Sequence, residues 1–156
     1  MKALSKPRQR GPRDEAVVLP EHGEHVLRAP TFTGAAIALE VHTAITPRAI
    51  PGTDQWHREL SPIYGAIAGL CWWHADFELE AQRPPIGAPL DDWISYGDAV
   101  CGELIEQGYT VHDLAALYEG AFGLVDRVHR ILAGAQERAD FTQGAGDEQA
   151  PPPPTP

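Results

Sequence analysis

Cysteine is scarce in this chain of 156 residues, in which only Cys71 and Cys101 occur. Each lies on the apolar stripe of a predicted helix, so we expect two buried thiols rather than a disulfide or a reactive site. The N-terminal segment lacks the apolar core of a signal peptide, and no stretch approaches the roughly eighteen uninterrupted apolar residues of a membrane span. These absences predict a protein of a reducing cytoplasm.

Positive charge is scarce outside the first thirteen residues. That segment carries no acid, so the formal net charge of −10 for the whole chain becomes −15 for the remainder. Its basic residues are Lys2, Lys6, Arg8, Arg10 and Arg13. An acidic body disfavours nucleic-acid binding there, because phosphate neutralisation needs clustered Lys and Arg. The arm alone could contact an anionic partner, but a disordered arm over residues 1–14 is the favoured interpretation.

Motifs of known catalytic chemistry are missing. There is no Gly-x-Ser-x-Gly nucleophile motif and no Gly-rich phosphate loop followed by Lys. Cys71-x-x-His74 has the spacing of a ligand pair, and His112 or His129 could in principle complete a site, but four-ligand zinc sites normally show two such pairs. His22-x-x-His25 falls in a predicted turn, where histidines usually meet solvent. We therefore expect no enzyme and no cofactor, and keep a small metalloenzyme using Cys71 and His74 as an alternative.

The most strongly patterned part of the chain predicts two helices. From Leu90 onward, large apolar residues recur at helical spacing until Gly108, which stands where a left-handed C-terminal cap is expected. Thr110-x-x-Asp113 then resembles a capping box and starts a second helix that continues to Leu132. We expect the two apolar faces to meet as an antiparallel helical hairpin, which needs a further layer to be stable.

The preceding part of the chain predicts a β-hairpin followed by a helix. Two short apolar runs, Glu15–Leu19 and His25–Ala29, are joined by turn residues and indicate two strands. Thr33 is the expected cap of a helix from Gly34 to about Thr46, which Pro47 would end. The segment Arg48–Glu59 is predicted to form a loop.

A further helix is predicted to start at Ser61-Pro62 and to present an apolar stripe as far as His74. Small residues on this helix would permit the close approach of another helix. They are Gly65, Ala66, Ala68 and Gly69.

The expected architecture is mainly α, in the α+β class, with a short N-terminal β-hairpin packed on a bundle of about four helices. This domain spans residues 15–134. A disordered basic arm precedes it over residues 1–14, and residues 135–156 form a disordered Pro-rich tail.

Four aromatic residues are the candidates for partner binding: Trp72, Trp73, Tyr118 and Phe122. The two tryptophans are adjacent, so on a helix they point about 100° apart, and one of them is expected at a margin or exposed. Trp and Tyr are favoured in partner-facing patches because they are large, rigid and carry a polar group. A helical body with surplus aromatics therefore predicts an interaction protein.

The layout resembles the tail assembly chaperones of long-tailed bacteriophages and prophages over residues 15–132. The resemblance lies in a hairpin AVVLPEHGEHVLRAPT leading into a helix, and in the segments YGDAV and ELIEQGY at residues 96–100 and 103–109. It implies a non-catalytic protein of the bacterial host cytoplasm that binds the helical tape-measure protein during tail morphogenesis and keeps it from aggregating. The tail-tube protein and further copies of the chain are possible additional partners. The alternative from another class is a nucleic-acid or connector-binding accessory phage protein acting through Lys2–Arg13.

Overall fold

A computed structural model describes residues 14–72 and 79–149 of the chain, with side chains described as far as residue 135. Within these residues the chain forms two strands followed by four helices, so the expected architecture of an N-terminal β-hairpin on a mainly helical body is confirmed. The elements are β1 (Asp14–Leu19), β2 (Gly23–Arg28), α1 (Phe32–His42), α2 (Asp54–Leu70), α3 (Leu90–Glu106) and α4 (Val111–Gln149). Residues 1–13 of the predicted arm, Trp73, His74 and residues 150–156 lie outside the described residues.

The two strands form an antiparallel hairpin that packs against α4. Its register runs from the pair Asp14 and Arg28 to the pair Leu19 and Gly23, and Gly23 takes the left-handed φ of 78° that the turn requires. The close approach to α4 depends on Gly120, where an added Cβ would lie 2.5 Å from a methyl carbon of Val17. The predicted position of the hairpin against the helices is therefore confirmed.

Helix α1 is capped by Thr31, so the prediction of Thr33 as the cap is wrong. The Thr31 hydroxyl oxygen accepts a hydrogen bond from the backbone N–H of Gly34 at 3.0 Å, and Thr31 has the extended backbone of an N-cap residue. The helix ends at His42 rather than near Thr46. Thr43 is its C-cap residue. Pro47 disfavours helical backbone at Thr46, which does not account for an end four residues earlier.

Helix α2 starts at Asp54, several residues before the predicted start at Ser61-Pro62, so the end of the predicted loop is helical. Thr53 caps it by accepting a hydrogen bond from the N–H of Trp56 at 3.2 Å. Pro62 is tolerated inside the helix although it has no N–H for the carbonyl oxygen of Arg58. The hydroxyl of Ser61 donates to that oxygen at 2.9 Å and supplies the missing hydrogen bond.

Helices α2 and α3 pack unusually closely, through glycines that face each other. A Cβ added to Gly65 would overlap the carbonyl oxygen of Gly97, and a Cβ added to Gly97 would overlap that of Pro62. One turn further along α2, Gly69 makes room for the ring of Tyr96. The prediction that small residues on this helix admit a second helix is confirmed.

The predicted pairing of α3 with α4 is wrong, although the connection between them is as expected. Gly108 has the left-handed φ of 98° of a C-terminal cap, and Thr110 and Asp113 exchange both hydrogen bonds of a capping box, at 2.9 and 3.1 Å. Both helices nevertheless pack against α2 instead of against each other. An apolar face specifies that a helix must be covered but not which helix covers it.

Helix α4 continues to Gln149, beyond the predicted end of its apolar stripe at Leu132. Ala, Gln and Glu supply nine of the 17 residues from Ala133 to Gln149, and they favour helix even where no apolar stripe requires one. Among the described helices, none is long and apolar enough to cross a membrane.

Candidate functional site

An apolar groove lies between the N-terminal end of α1 and the middle of α4. Its volume is about 330 Å³. The residues that line it, called the α1–α4 groove below, are Ala29, Pro30, Thr31, Phe32, Leu124, Arg127, Val128 and Ile131. The β2–α1 connection forms one wall because Pro30 and the cap residue Thr31 hold it extended against α4.

Two large apolar side chains at the groove are exposed. Phe32 is 52% exposed and Ile131 is 58% exposed, although both belong to helices that bury other apolar residues nearby. Leu124 and Val128 on the same stripe of α4 are buried. The apolar stripe of α4 thus continues past the point where α1 and the hairpin cover it, and Ile131 stays largely exposed there.

The charged residue at this groove is fixed by an ion pair. The guanidinium of Arg127 donates from Nη2 to Oε2 of Glu15 on β1 at 2.6 Å. Both side chains are close to half exposed, so the pair contributes little to stability, on the order of 0–1 kcal/mol. Its effect is to hold the start of the hairpin beside α4.

Of the four predicted partner-binding aromatics, the structure brings Tyr118 and Phe122 together and places Trp72 in the core. Trp72 is 1% exposed and belongs to the core, where its ring lies 6.0 Å from that of His25. Tyr118 and Phe122 are half-buried on α4, with ring centroids 5.8 Å apart. Trp73 lies outside the described residues.

Tyr118 and Phe122 join α4 to α1 through His42. The hydroxyl of Tyr118 is hydrogen-bonded to Nδ1 of His42 at 2.8 Å, and the His42 and Phe122 rings are 4.3 Å apart. Tyr118 also contacts the ring of Tyr64 on α2 at 4.9 Å, and the Tyr64 hydroxyl is hydrogen-bonded to His57 at 2.8 Å. Burial raises the pKa of Tyr64 to about 12, so its hydroxyl stays protonated at neutral pH. These aromatic and histidine side chains connect α1, α2 and α4.

The histidines of the β-hairpin are packed, contrary to the expectation that they meet solvent. His25 is buried, and its Nδ1–H donates to the carbonyl oxygen of Gly23 at 3.1 Å, which leaves Nε2 to accept from the hydroxyl of Tyr109 at 2.7 Å. His22 stacks on the ring of Tyr109 at 3.8 Å. Burial lowers the pKa of His25 below its ordinary value of 6.5. The two rings hold the hairpin turn against the α3–α4 connection.

Cys71, one of the two residues of the alternative metal site, is buried. Its thiol donates to the carbonyl oxygen of Ala121 at 3.6 Å. Burial raises the pKa of this thiol to about 12. In the described part of the chain, which omits His74, no group of three or more His, Cys, Asp or Glu residues is arranged to hold a metal ion.

Residues of the groove were missed at the sequence level because their exposure depends on tertiary packing. Ile131 fits the apolar stripe of its helix as well as Leu124 does, and nothing local shows that the covering elements end before it. Phe32 precedes Thr33, the residue expected to cap α1, so it lies outside the predicted helix. The sequence feature that could have indicated the groove is the large apolar side chain of Phe32, close to Pro30 and Thr31.

Comparisons of this chain with protein-family models, with curated proteins and with solved structures found no match. The residues of the chain therefore carry the functional argument. Among the exposed large apolar side chains of the described residues, Phe32 and Ile131 line one groove.

Proposed function

We propose that this protein is a non-catalytic tail assembly chaperone that binds helical segments of a tape-measure protein in the α1–α4 groove, in the cytoplasm of a bacterial host. The observation that carries the proposal is the exposure of Phe32 and Ile131 beside an apolar groove. Grooves of this kind receive the apolar face of an amphipathic helix, whose anchors recur at spacings of three, four and seven. The family resemblance supplies the tape-measure protein as the partner and the tail-tube protein as the competitor that displaces the chaperone.

The size of the groove supports weak and reversible binding. Covering Phe32 and Ile131 removes only the exposed halves of two side chains from water, and full burial of one such side chain is worth roughly 1.5–3 kcal/mol. Association itself costs an estimated 4–15 kcal/mol, so the anchors of the partner must contribute most of the affinity. A chaperone that leaves as the tail tube assembles requires such a contact, because tight binding would block its release.

The charge of the chain supports the same role. Acidic residues outnumber basic ones by 22 to 12, which gives a net charge of −10. A strongly charged protein bound to an apolar helix keeps the complex soluble through mutual repulsion. The acidic body thus supplies solubility, while the groove supplies the contact.

Co-expression with the partner tests the proposal. We expect a very long, helix-patterned reading frame beside this gene, and its product is to be expressed with wild-type chain or with Phe32→Glu or Ile131→Glu. The matched control is Ile50→Glu, because Ile50 is 75% exposed in the α1–α2 connection and does not line the groove. Wild type and Ile50→Glu should keep the partner soluble and co-purify with it, and the two groove variants should not. Equal recovery with Ile131→Glu, or the absence of such a reading frame, would contradict the proposal.

A further inference from the structure

The backbone N–H of Arg28 shows which way the hydrogen-bonding groups of the β-hairpin point. It points away from β1 and donates to the carbonyl oxygen of Cys71, at the end of α2, at 2.6 Å. In an antiparallel pair, opposite residues point their N–H and C=O groups either toward each other or both away, and the direction alternates along the strand. Arg28 pairs with Asp14, so the groups of Ala16 and Val18 point out of the hairpin at the edge of β1. Among the residues that the structure describes, none forms a backbone hydrogen bond with these outward groups of Ala16 and Val18.

The edge of β1 lacks the features that usually keep the edge of a sheet from pairing. Natural edge strands carry Lys, Pro or a bulge for this purpose. The strand sequence DEAVVL contains no Lys and no Pro, and its continuous register with β2 leaves no bulge. Val18 is 69% exposed on the outer face of the hairpin. Such an edge is a template for the addition of a further strand.

We propose that β1 pairs with β1 of a second copy of the chain, antiparallel about a two-fold axis at Ala16, to form a four-stranded sheet. In this register Ala16 of each copy lies opposite Ala16 of the other, and the outward N–H of each donates to the outward C=O of the other. The acidic residues Asp14 and Glu15 lie opposite Val18 and Val17 of the second copy, so like charges are kept apart, whereas a parallel pair would place them side by side. The proposal does not depend on the chaperone function or on the α1–α4 groove.

The distribution of charge around β1 favours a second copy as the added strand. The basic segment of residues 1–13 joins β1 at Asp14, at the end of the hairpin opposite to its turn. The turn and the start of β2 carry the exposed acids Glu21 and Glu24. The antiparallel register brings Asp14 of one copy to Val18 of the other, next to that turn. Each basic segment therefore begins beside the acidic turn of the other copy, and opposite charges attract there.

Helix α4 runs lengthwise beneath the hairpin. Its start lies at the hairpin turn, where Asp113 is 3.9 Å from His22, and four turns later Arg127 bonds Glu15 near the start of β1. Neighbouring strands lie about 4.8 Å apart, so the centres of two hairpins paired through β1 lie about 10 Å apart. Packed helices are separated by about 8–10 Å. The two copies of α4 therefore fit side by side beneath the four-stranded sheet.

Cysteine cross-linking of the full chain tests the register. Residues paired at the axis have Cα atoms about 5.5 Å apart, inside the range of about 4.4–6.8 Å for a disulfide, whereas the two Val18 residues would be about 14 Å apart. The native Cys71 and Cys101 are buried. We expect Ala16→Cys to form a disulfide-linked dimer on mild oxidation, and Val18→Cys to form none although position 18 is the more exposed one. Equal or stronger cross-linking of Val18→Cys, or none of Ala16→Cys, would overturn the proposal.

Sedimentation equilibrium measures the dimer without a cross-link. Ala16→Pro removes the outward N–H at the axis and spares the N–H groups that pair β1 with β2, so it should raise the dimer dissociation constant about tenfold or more. Val18→Asp places a carboxylate beside Asp14 of the second copy and should weaken the dimer in the same way. The control is Ile50→Asp, at a position that is 75% exposed in the α1–α2 connection, and it should dimerise like wild type. A wild-type chain that stays monomeric up to about 1 mM, or a dimer that both edge variants leave unchanged, would contradict the proposal.

Discussion

At the scale of single residues, the α2–α3 contact depends on the absence of a side chain at Gly97. Replacing Gly97 with Ala puts a methyl group onto the backbone oxygen of Pro62, which cannot rotate away as a side chain can. We expect Gly97→Ala to lower the free energy of unfolding by about 1–3 kcal/mol. Urea denaturation followed by circular dichroism measures the change.

Gly102 on the same helix is the matched control for this substitution. Nothing lies within 4 Å of a Cβ added there, and the position is exposed. Ala is a better helix former than Gly, so Gly102→Ala should raise the free energy of unfolding by roughly 0.5–1 kcal/mol. If both substitutions raised the free energy of unfolding, helix propensity rather than the close approach of α2 would govern position 97.

His25 makes the stability of the protein depend on pH. Because burial lowers its pKa in the folded state, the unfolded chain binds the proton more readily. The stabilisation is therefore complete above the ordinary pKa of about 6.5 and is lost as the pH falls from there towards the lower folded-state pKa. Protonation also turns Nε2 from an acceptor of the Tyr109 hydroxyl into a donor.

We expect His25→Gln to be less stable at neutral pH and to show a shallower loss of stability on acidification. The free energy of unfolding of both proteins is to be measured from about pH 7.5 to about pH 5.5, on either side of the ordinary histidine pKa. Contributions from carboxylates are common to both proteins and cancel in the difference. Parallel curves for wild type and variant would mean that another group is responsible.

At the scale of the elements, the start of α1 tests which threonine caps the helix. Thr31→Ala removes the acceptor of the Gly34 N–H and should cost about 0.5–2 kcal/mol of stability. Thr33→Ala changes an exposed residue inside the first turn and should be neutral or slightly stabilising. The midpoints of thermal unfolding of the two variants are compared. A larger decrease for Thr33→Ala than for Thr31→Ala would indicate that Thr33 is the cap.

Elements were predictable from the sequence where their signals are local. The cap at Gly108 and the Thr110–Asp113 box sit next to the helix ends that they define, and both have the expected geometry. The first turns of α2 were missed because Pro62 resembles a helix start. Its position within the helix depends on the Ser61 hydroxyl replacing one backbone donor, which the sequence alone does not indicate.

At the scale of the whole molecule, the arrangement of the helices was not predictable from their apolar faces. Both α3 and α4 pack on α2, and glycines on α2 and α3 permit the close approach of that pair. Apolar stripes alone do not indicate which helix faces which. The α1–α4 groove could not be predicted from the sequence either. Its walls come from segments near residues 30 and 128, which only the folded chain brings together.

Hydrogen exchange of the free chain and of its complex with the co-expressed helical partner tests the central claim most directly. Binding in the α1–α4 groove predicts slower amide exchange in the segments Ala29–Phe32 and Leu124–Ile131, which form its two walls. The exposed face of α3 around Asp98 and Gly102 should be unaffected. Protection confined to α3, or no protection in either groove segment of a complex that does form, would contradict the assignment of the groove as the binding site.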